Sequence, residues 1–319
     1  MDIILFNDVC IFDENKTIIY GQYNNKFTSI KLDYNFDVIF CENRDDFYIE
    51  IYEKVYYIDN ITFVNDKFNV IKKDIILKFP FENCNLSLDS NSVIISTMCK
   101  DYSSRLEEWI NYNLNLGFSG IVIFDNDENK SNEINEPLEY RENNGTISDV
   151  CKKYKNKVFH IKYNYKPMGK NHYDTIQRIS LHIGVNAFRN KCSKIALIDA
   201  DEFIHIPNKS NIIDFLSNYK GKTITMKSNI LTNKLNDDII NNNILDICVY
   251  VGENKYTKTI IDTNQIKPIE FIITPHRHPE QILLDKNKIM YYHCWVNSRY
   301  EYNTNMQKID LSLKNYVDN

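Results

Sequence analysis

The chain has 319 residues, 43% hydrophobic and 25% charged, which is the composition of a folded globular protein and not of a disordered one. A net charge of −5 provides no basic surface for a polyanion and argues against a nucleic-acid partner. The eight cysteines include no Cys-x-x-Cys pair, so we expect reduced thiols and neither a zinc ribbon nor a redox motif.

The N-terminus carries no recognisable targeting segment. The first ten residues, MDIILFNDVC, are acidic, and their apolar run is too short for a signal peptide or a membrane anchor. Together with the expected thiols, this predicts a cytoplasmic or otherwise soluble protein without a transmembrane segment. The oligomeric state is left open.

Residues 1–80 contain short apolar or alternating runs, such as TIIYGQY and FYIEIYEKVYYI, separated by Asn, Asp and Gly. Runs of this length with turn residues between them are typical of β-strands. The sequence therefore predicts a small antiparallel β domain over 1–80. Residues 81–92 are polar and rich in turn formers, which predicts a linker to a second domain over 93–319.

From Val93 onward, predicted strands alternate with predicted helices. The strands are expected over 92–97, 120–126, 157–164 and 195–198, and the helices over 103–117 and 173–192. This alternation predicts a parallel sheet in an α/β domain. In the first helix, Ser104 and Glu107 have the spacing of a capping box, and Gly117 suits the C-terminal cap.

Polar residues follow three of these strands. Lys100 and Asp101 come after the first, Asp125 ends the second, and Asp199 and Asp201 follow the last. Because α/β sheets bind ligands at the carboxyl ends of their strands, we expect these side chains to line one cleft.

The stretch Asp199-Ala200-Asp201 directly follows an apolar strand. Two carboxylates one residue apart at a strand end can both reach one divalent cation. Mg²⁺ and Mn²⁺ prefer such oxygen ligands and keep positions open for the phosphates of a substrate. A solvated acidic turn is the alternative, but the preceding strand and the following Glu202-Phe203 favour a metal site.

Four short motifs follow one another along this part of the chain. They are Lys100-Asp101-Tyr102, Glu108-Trp109-Ile110, Phe124-Asp125-Asn126 and Asp199-Ala200-Asp201-Glu202-Phe203. They resemble the Lys-Asn-Glu, Glu-Trp-Ile, Tyr-Asp-Asn and Asp-x-Asp-Glu-Phe motifs of GT-A-type glycosyltransferases of families 2 and 92. The resemblance covers roughly 93–310 and is looser toward the C-terminus, where Lys258, His276 or His278, and His293 match weaker family features.

The resemblance implies a GT-A domain, which is the Rossmann-like fold of nucleotide-diphospho-sugar transferases. It implies metal-dependent transfer of a sugar from a nucleotide-sugar donor, with a UDP-sugar favoured, to a hydroxyl of a glycan or glycoprotein acceptor, with inversion. Asp125 would contact uracil or ribose. Asp199 and Asp201 would bind ribose and a diphosphate-bound Mn²⁺ or Mg²⁺ ion, and His293 would complete the metal shell or bind the diphosphate.

Further donor-binding candidates are Lys100 and Asp101 after the first strand, Lys170 before a helix N-terminus, and Gln177 inside that helix, where the family often carries Gln. A solvated surface position is the alternative for the lysines and for Gln177.

Inversion also needs a base that deprotonates the acceptor hydroxyl. The candidates are acids of the C-terminal half: Asp237, Asp238, Glu253 and Glu270. Asp237 and Asp238 are favoured, because an acidic pair in a loop after a strand can reach a cleft. Glu202 directly follows the predicted metal ligands. We count it among the catalytic acids, as an acid that supports the site more than as the base itself.

Two other functions stay open. A catalytically inactive carbohydrate-binding or assembly protein would account for Asp101, Tyr102 and Asn297, where the families carry Asn, Glu and Lys. A metal-dependent phosphotransferase or nucleotidyltransferase also uses paired carboxylates, but the chain has only eight glycines and no Gly-rich phosphate loop. His276 and His278 could bind zinc, yet no further matched ligand accompanies them.

Overall fold

The structure, a computed structural model, shows a mixed α/β protein. It describes residues 2–41, 44–67, 69–127, 145–168, 173–208, 210–233, 242–267, 274–276, 278, 280–295 and 309–313. The predicted site residues Lys170, Asp237 and Asp238, and the further base candidate Glu270, lie outside these ranges.

The N-terminal strands form two sheets whose pairings are all antiparallel. The strands are β1 (Ile3–Leu5), β2 (Ile11–Asp13), β3 (Lys16–Tyr23), β4 (Ser29–Leu32), β5 (Phe36–Phe40), β6 (Asp46–Ile51), β7 (Tyr57–Val64) and β8 (Asn69–Ile76). β4, β7 and β8 form one sheet and the other five strands form the second. The ring of Phe27 lies 5.1 Å from those of Phe47 and Phe63, so aromatic side chains fill the core of these sheets.

The described residues of the rest of the chain contribute the helices and nine further strands. The helices are α1 (Ser103–Asn115), α2 (Ile147–Lys152), α3 (Tyr173–Ala187), α4 (Ile212–Ser217) and α5 (Ile244–Ile247). The strands are β9 (Val93–Cys99), β10 (Gly120–Asp125), β11 (Val158–Lys162), β12 (Lys194–Leu197), β13 (Glu202–His205), β14 (Thr223–Thr232), β15 (Tyr250–Asp262), β16 (Gln281–Leu283) and β17 (Met290–Trp295). Within the described part of the chain, no helix has the length and apolar character needed to cross a membrane.

These nine strands form one sheet with two different halves. In the first half, β11, β10, β9 and β12 lie side by side in that order and are parallel, as the alternation of strands and helices predicts. All six residues of β10 are buried, which is typical of a parallel strand covered on both faces. The second half continues with β15, β14, β17 and β13, and here antiparallel pairs predominate. The parallel sheet predicted from the sequence is therefore half of a mixed sheet.

The pairing of β14 with β15 contains an irregularity. Lys227 pairs with Thr257, whereas Asn229, two residues further along β14, pairs with Glu253, four residues away on β15. Extra residues on one strand of an antiparallel pair form a bulge, which leaves them unpaired. The stretch of β15 after the bulge also pairs with β12 along its other edge. This pairing is regular, from Leu197 opposite Thr259 to Lys194 opposite Asp262.

Helix α1 differs from its prediction at one end. It begins at Ser103 after Tyr102, and its start carries no side-chain capping bond, so the predicted capping box of Ser104 and Glu107 is wrong. In that motif Ser104 would precede the helix, but Ser104 is the second residue of α1, so the helix starts two residues too early. At the other end Gly117 has a φ of 102°, as a glycine after a helix C-terminus often has.

The chain divides into two compact units that differ from the predicted domain boundaries. The first comprises Met1–Cys84, Tyr163–Phe188 and Lys267–Ile272, and the second comprises the remaining residues. The first unit therefore includes α3, which the sequence analysis placed in the second domain. Inside this unit the ring of His182 on α3 lies 5.0 Å from that of Tyr20 on β3, which accounts for the grouping.

We predict that Gly117→Ala lowers the free energy of unfolding by more than the roughly 1–2 kcal/mol of left-handed backbone strain. A β-carbon at this position would lie 2.0 Å from Nδ2 of Asn211, whose side chain accepts a hydrogen bond from Ile213 at the start of α4. Gly145→Ala is the matched control, because its φ is also positive but its β-carbon would lie 3.4 Å from Asp149. Equal losses in the two variants, measured by chemical denaturation, would contradict the Asn211 contact.

Candidate active site at the carboxyl ends of the parallel strands

The parallel half of the sheet brings the predicted acids to one edge. β9 lies between β10 and β12, so Asp125, Lys100 and Asp199 follow three neighbouring strands that all end on the same side. From β9 the chain builds β10 and β11 on one side and then returns to place β12 on the other. Such a switch of direction opens a crevice beyond the strand ends, where α/β proteins bind ligands.

The acidic stretch after β12 forms a tight turn that leads into β13. The backbone N–H of Glu202 donates to the carbonyl of Asp199 at 3.0 Å. In return, the Glu202 side chain accepts from the N–H of Asp199 at 2.9 Å. The turn therefore presents Asp199 and Asp201, whose side chains are about one third exposed, and buries Glu202.

Helix α1 holds this turn through two buried hydrogen bonds. Trp109 Nε1 donates to the carbonyl of Glu202 at 2.8 Å, and the Tyr112 hydroxyl donates to the carbonyl of Ile204 at 2.6 Å. Removing a buried donor of this kind leaves a carbonyl unsatisfied, which costs about 1–3 kcal/mol. The position of β13, and of the acids before it, thus depends on the apolar face of α1.

The outer face of α1 supports a second segment. The Glu108 carboxylate accepts from the N–H groups of Ile244 and Leu245, both at 2.8 Å, at the beginning of α5. Arg105 Nη1 donates to the carbonyl of Asn242 at 2.6 Å. The Glu-Trp stretch of the sequence therefore supports the acidic turn with Trp109 and the start of α5 with Glu108.

A buried lysine lies under the turn. Because Leu197 pairs with Thr259, the neighbouring Lys258 lies level with the start of the turn. Its ammonium contacts Asp199 Oδ2 at 2.5 Å and Glu202 Oε2 at 3.0 Å, and its side chain is only 2% exposed. Burial alone would lower the pKa of Lys258, but the two carboxylates outweigh burial and raise that pKa above its usual value.

Asp201, the remaining carboxylate of the turn, pairs with a histidine. Glu202 and His293 are cross-strand partners on β13 and β17, which places His293 Nε2 3.1 Å from Asp201 Oδ2. Burial would lower the pKa of His293, but Asp201 and more weakly Glu202 outweigh it and raise that pKa to about 9. Burial would likewise raise the pKa of Asp201, but His293 and then Lys258 hold it below its usual range.

Glu202 is in a different position from its two neighbours. Its side chain is 2% exposed, and burial raises its pKa to about 7 although Lys258 favours the charged form. Lys258 shares its ammonium between Glu202 and Asp199, so burial has the larger influence on the pKa of Glu202. A group so buried cannot reach a substrate hydroxyl, so its geometry favours the supporting position over direct proton transfer.

The donor set suits a divalent ion, although no full set of protein ligands is present. Among the described residues, no three His, Cys, Asp or Glu side chains converge on one point that could hold a metal. The carboxylate of Asp201 and the imidazole of His293 lie 3.1 Å apart, as two adjacent ligands of one ion do. Mg²⁺ and similar ions are commonly held by one or two protein groups plus phosphate oxygens, so the pair fits such a site.

A second acidic group lies at the ends of β9 and β10. Asp125 Oδ2 contacts His160 Nε2 at 2.6 Å, and its Oδ1 accepts from the N–H of Asp127 at 3.0 Å. Asp127 in turn accepts from the N–H of Asp101, which has a φ of 53°. Burial raises the pKa of Asp127. These contacts orient Asp125 and Asp101 at the edge of the crevice.

The remaining predicted residues are spread more widely. Lys100 directly follows β9 and is partly exposed, whereas Gln177 lies on α3 in the other compact unit. Glu253 lies at the bulge of β15. His276 Nδ1 donates to the carbonyl of Thr257 at 2.6 Å, and His278 Nδ1 accepts from the N–H of Glu280 at 3.5 Å.

Some residues of this site carried no clear signal in the sequence. His160 lies inside an apolar strand and Asp127 opens a polar loop, so neither belongs to a motif. Lys258 matches the family only weakly, although an isolated lysine in the run YTKTII is a candidate partner for a buried acid.

Comparison with known proteins finds similarity among solved structures. No family model matches the chain, and no curated protein matches it. The crystal structure of S. aureus TarS 1–349 is similar to 63% of this chain at 15% sequence identity, with a TM-score of 0.30. The chain spans 59% of the length of that TarS chain. At this TM-score the similarity carries no argument about function.

We predict that Lys258→Met lowers the free energy of unfolding by about 3–5 kcal/mol, because it leaves the buried Glu202 carboxylate without its ammonium partner. Adding Glu202→Gln removes that carboxylate charge and is expected to recover most of the loss. Chemical denaturation of the two single variants and the double variant measures the coupling. A double variant no more stable than Lys258→Met would contradict the buried ion pair.

Proposed function

We propose that the protein is a metal-dependent glycosyltransferase whose second unit is a GT-A-type catalytic domain. It would transfer a sugar from a nucleotide-sugar donor, with a UDP-sugar favoured, to a hydroxyl of a glycan or glycoprotein, with inversion at the anomeric carbon. The observation that carries this proposal is the contact of Asp201 with His293 at the carboxyl end of β12. It lies beside the switch point of the parallel half-sheet, where a nucleotide ligand is expected.

The sequence motifs support the same assignment. Asp199-Ala200-Asp201-Glu202-Phe203 and Glu108-Trp109-Ile110 resemble those of glycosyltransferase families 2 and 92, and the structure joins them through the hydrogen bond from Trp109 to Glu202. Two separately matching motifs are thus parts of one arrangement.

Asp201 and His293 would hold the Mn²⁺ or Mg²⁺ ion, with phosphate oxygens and water completing its shell. When bound, such an ion neutralises charge on the leaving diphosphate and orients it. The protein's own part is to hold the two ligands 3.1 Å apart through the pairing of β13 with β17.

The donor would lie along the crevice from β10 to β12. Asp125, oriented by His160, would contact the base or ribose, and Lys100 and Asp101 would bind beside it. Asp237 or Asp238 would serve as the base, since Glu202 is buried against Lys258.

The proposal predicts metal-dependent binding of a nucleotide sugar. In a thermal-shift panel of nucleotide sugars with and without Mn²⁺, a UDP-sugar with Mn²⁺ should raise the unfolding midpoint. A ligand at roughly a hundred times its Kd stabilises the folded state by about 2.7 kcal/mol. Asp201→Asn should abolish this shift and also donor hydrolysis and sugar transfer.

Asp262→Asn is the matched control for that variant. Asp262 pairs with Lys194 at 2.9 Å across β12 and β15, at the end of β12 opposite the crevice. Asp262→Asn also removes an aspartate from an ion pair, but away from the crevice, so it should retain the shift. A wild-type chain that binds no nucleotide sugar with Mn²⁺ would contradict the proposed function, as would normal transfer by Asp201→Asn.

A further inference from the structure

Strand β5 (Phe36–Phe40) is an edge strand of the five-stranded N-terminal sheet. Within the described part of the chain it pairs with β6 alone. The residues that flank β5 show which backbone groups face β6. The carbonyl of Asn35 accepts from the N–H of Tyr52, and the N–H of Cys41 donates to the carbonyl of Asp46. Because these directions alternate along an antiparallel strand, every second residue of β5 turns its backbone groups away from β6.

The residues that face away from β6 are Phe36, Val38 and Phe40. Among the described residues, none bonds to their outward N–H and C=O groups. Their side chains point to one face of β5, and all three are half-buried against the aromatic core of the N-terminal sheets. A further strand beside β5 would therefore continue both the hydrogen bonding of the sheet and its hydrophobic core.

Strand β8, the eight-residue edge of the other N-terminal sheet, differs from β5. It carries Lys72, Lys73 and Asp74, and Asp74 has a φ of 52°. Charged side chains and a distorted backbone are usual means by which an edge strand resists pairing. β5 has neither Lys nor Pro, and its one charged residue, Asp37, accepts a hydrogen bond from the Tyr52 hydroxyl. The contrast indicates that β5 is the edge suited to a partner strand.

The sequence of β5 suits pairing with a second copy of itself. In an antiparallel pair centred on Val38, Phe36 lies opposite Phe40 of the second copy, and the two Val38 residues oppose each other. Each of these residues turns its backbone groups outward, so each pair exchanges two hydrogen bonds. The half-buried side chains of the two cores then meet across the strands. Asp37 lies opposite Ile39, so no like charges are directly opposed.

We propose that the protein forms a homodimer in which the two β5 strands pair antiparallel about a two-fold axis at Val38. Both copies use the same edge, so the assembly closes at two chains. Two five-residue strands form a small interface, below the roughly 1,200 Å² of tight complexes, so we expect a micromolar dissociation constant. The exposed Lys26, whose ammonium lies 4.6 Å from the Phe40 ring centroid, turns aside on pairing.

Sedimentation equilibrium of the full chain tests the proposal. The wild type should convert from monomer to dimer across the micromolar range. Val38→Lys places a charge at the centre of the pair and should keep the chain monomeric. Val70→Lys is the matched control, because Val70 is also a half-buried valine of an edge strand, β8, and packs against the same core. It should dimerise as the wild type does.

Two results of this measurement would overturn the proposal. One is a wild-type chain that remains monomeric at about 100 μM, well above a micromolar dissociation constant. The other is a Val38→Lys variant that dimerises as strongly as the wild type, because the contact would then lie elsewhere. The measurement uses no nucleotide sugar, so its outcome is independent of the proposed function.

Cross-linking tests the register and keeps the proposal falsifiable if Val38→Lys fails to fold. The opposed Val38 Cα atoms would lie about 5.5 Å apart, within the reach of a disulfide. Val38→Cys, a small change in volume, should therefore give a disulfide-linked dimer with oxidised glutathione as the oxidant. In Phe36→Cys the two new thiols would lie four residues apart along the strands, about 13 Å, and should not link.

The wild type is the blank for this reaction, because its cysteines are buried except for the half-buried Cys84. A folded Val38→Cys variant that gives no more linked dimer than the wild type would contradict the pairing of β5. Linkage of Phe36→Cys as strong as that of Val38→Cys would contradict the register.

Discussion

The ion pair between Lys258 and the acidic turn is the interaction on which the rest of the site depends. Three carboxylates within four residues follow a buried strand, and burying such charges unpaired costs several kcal/mol each. The ammonium comes from β15, which lies beside β12 because the sheet changes from parallel to antiparallel at that point. The mixed character of the sheet is thus what supplies the counter-charge, since an antiparallel neighbour brings Lys258 level with the turn.

Helix α1 provides the second support, and it gives a physical meaning to the Glu-Trp stretch. Trp109 donates a hydrogen bond to the carbonyl of Glu202, and Glu108 accepts one from an N–H group at the start of α5. Two adjacent residues of one helix thus hold two segments that are distant in sequence. Neither contact involves a substrate. A motif that resembles part of a catalytic domain is here explained by the need to hold backbone groups in place, and Asp201 and His293 are left to carry the chemistry of the proposed reaction.

Local patterns were sufficient to predict the four parallel strands and the placement of Asp125, Asp199 and Asp201 at their ends. Partners that come from distant strands were not predictable in this way, because the contact of Asp125 with His160 and that of Asp199 with Lys258 depend on strand order. The predicted capping box is wrong for a local reason, because the helix begins at Ser103, two residues before the start that Ser104 would cap. Helix α3 shows a third limit, because periodicity identifies a helix without telling which sheet it covers.

The bulge between β14 and β15 makes one stretch of β15 tolerant of inserted residues, whereas the stretch that follows it is not. Beyond Thr257 toward Asp262, each residue alternates between the faces of the sheet, so one inserted residue would turn Lys258 away from the acids. Residues 254–256 already lie outside the regular register and can absorb such an insertion. Homologues should therefore vary in length at 254–256 and keep a constant spacing between Lys258 and the end of β15.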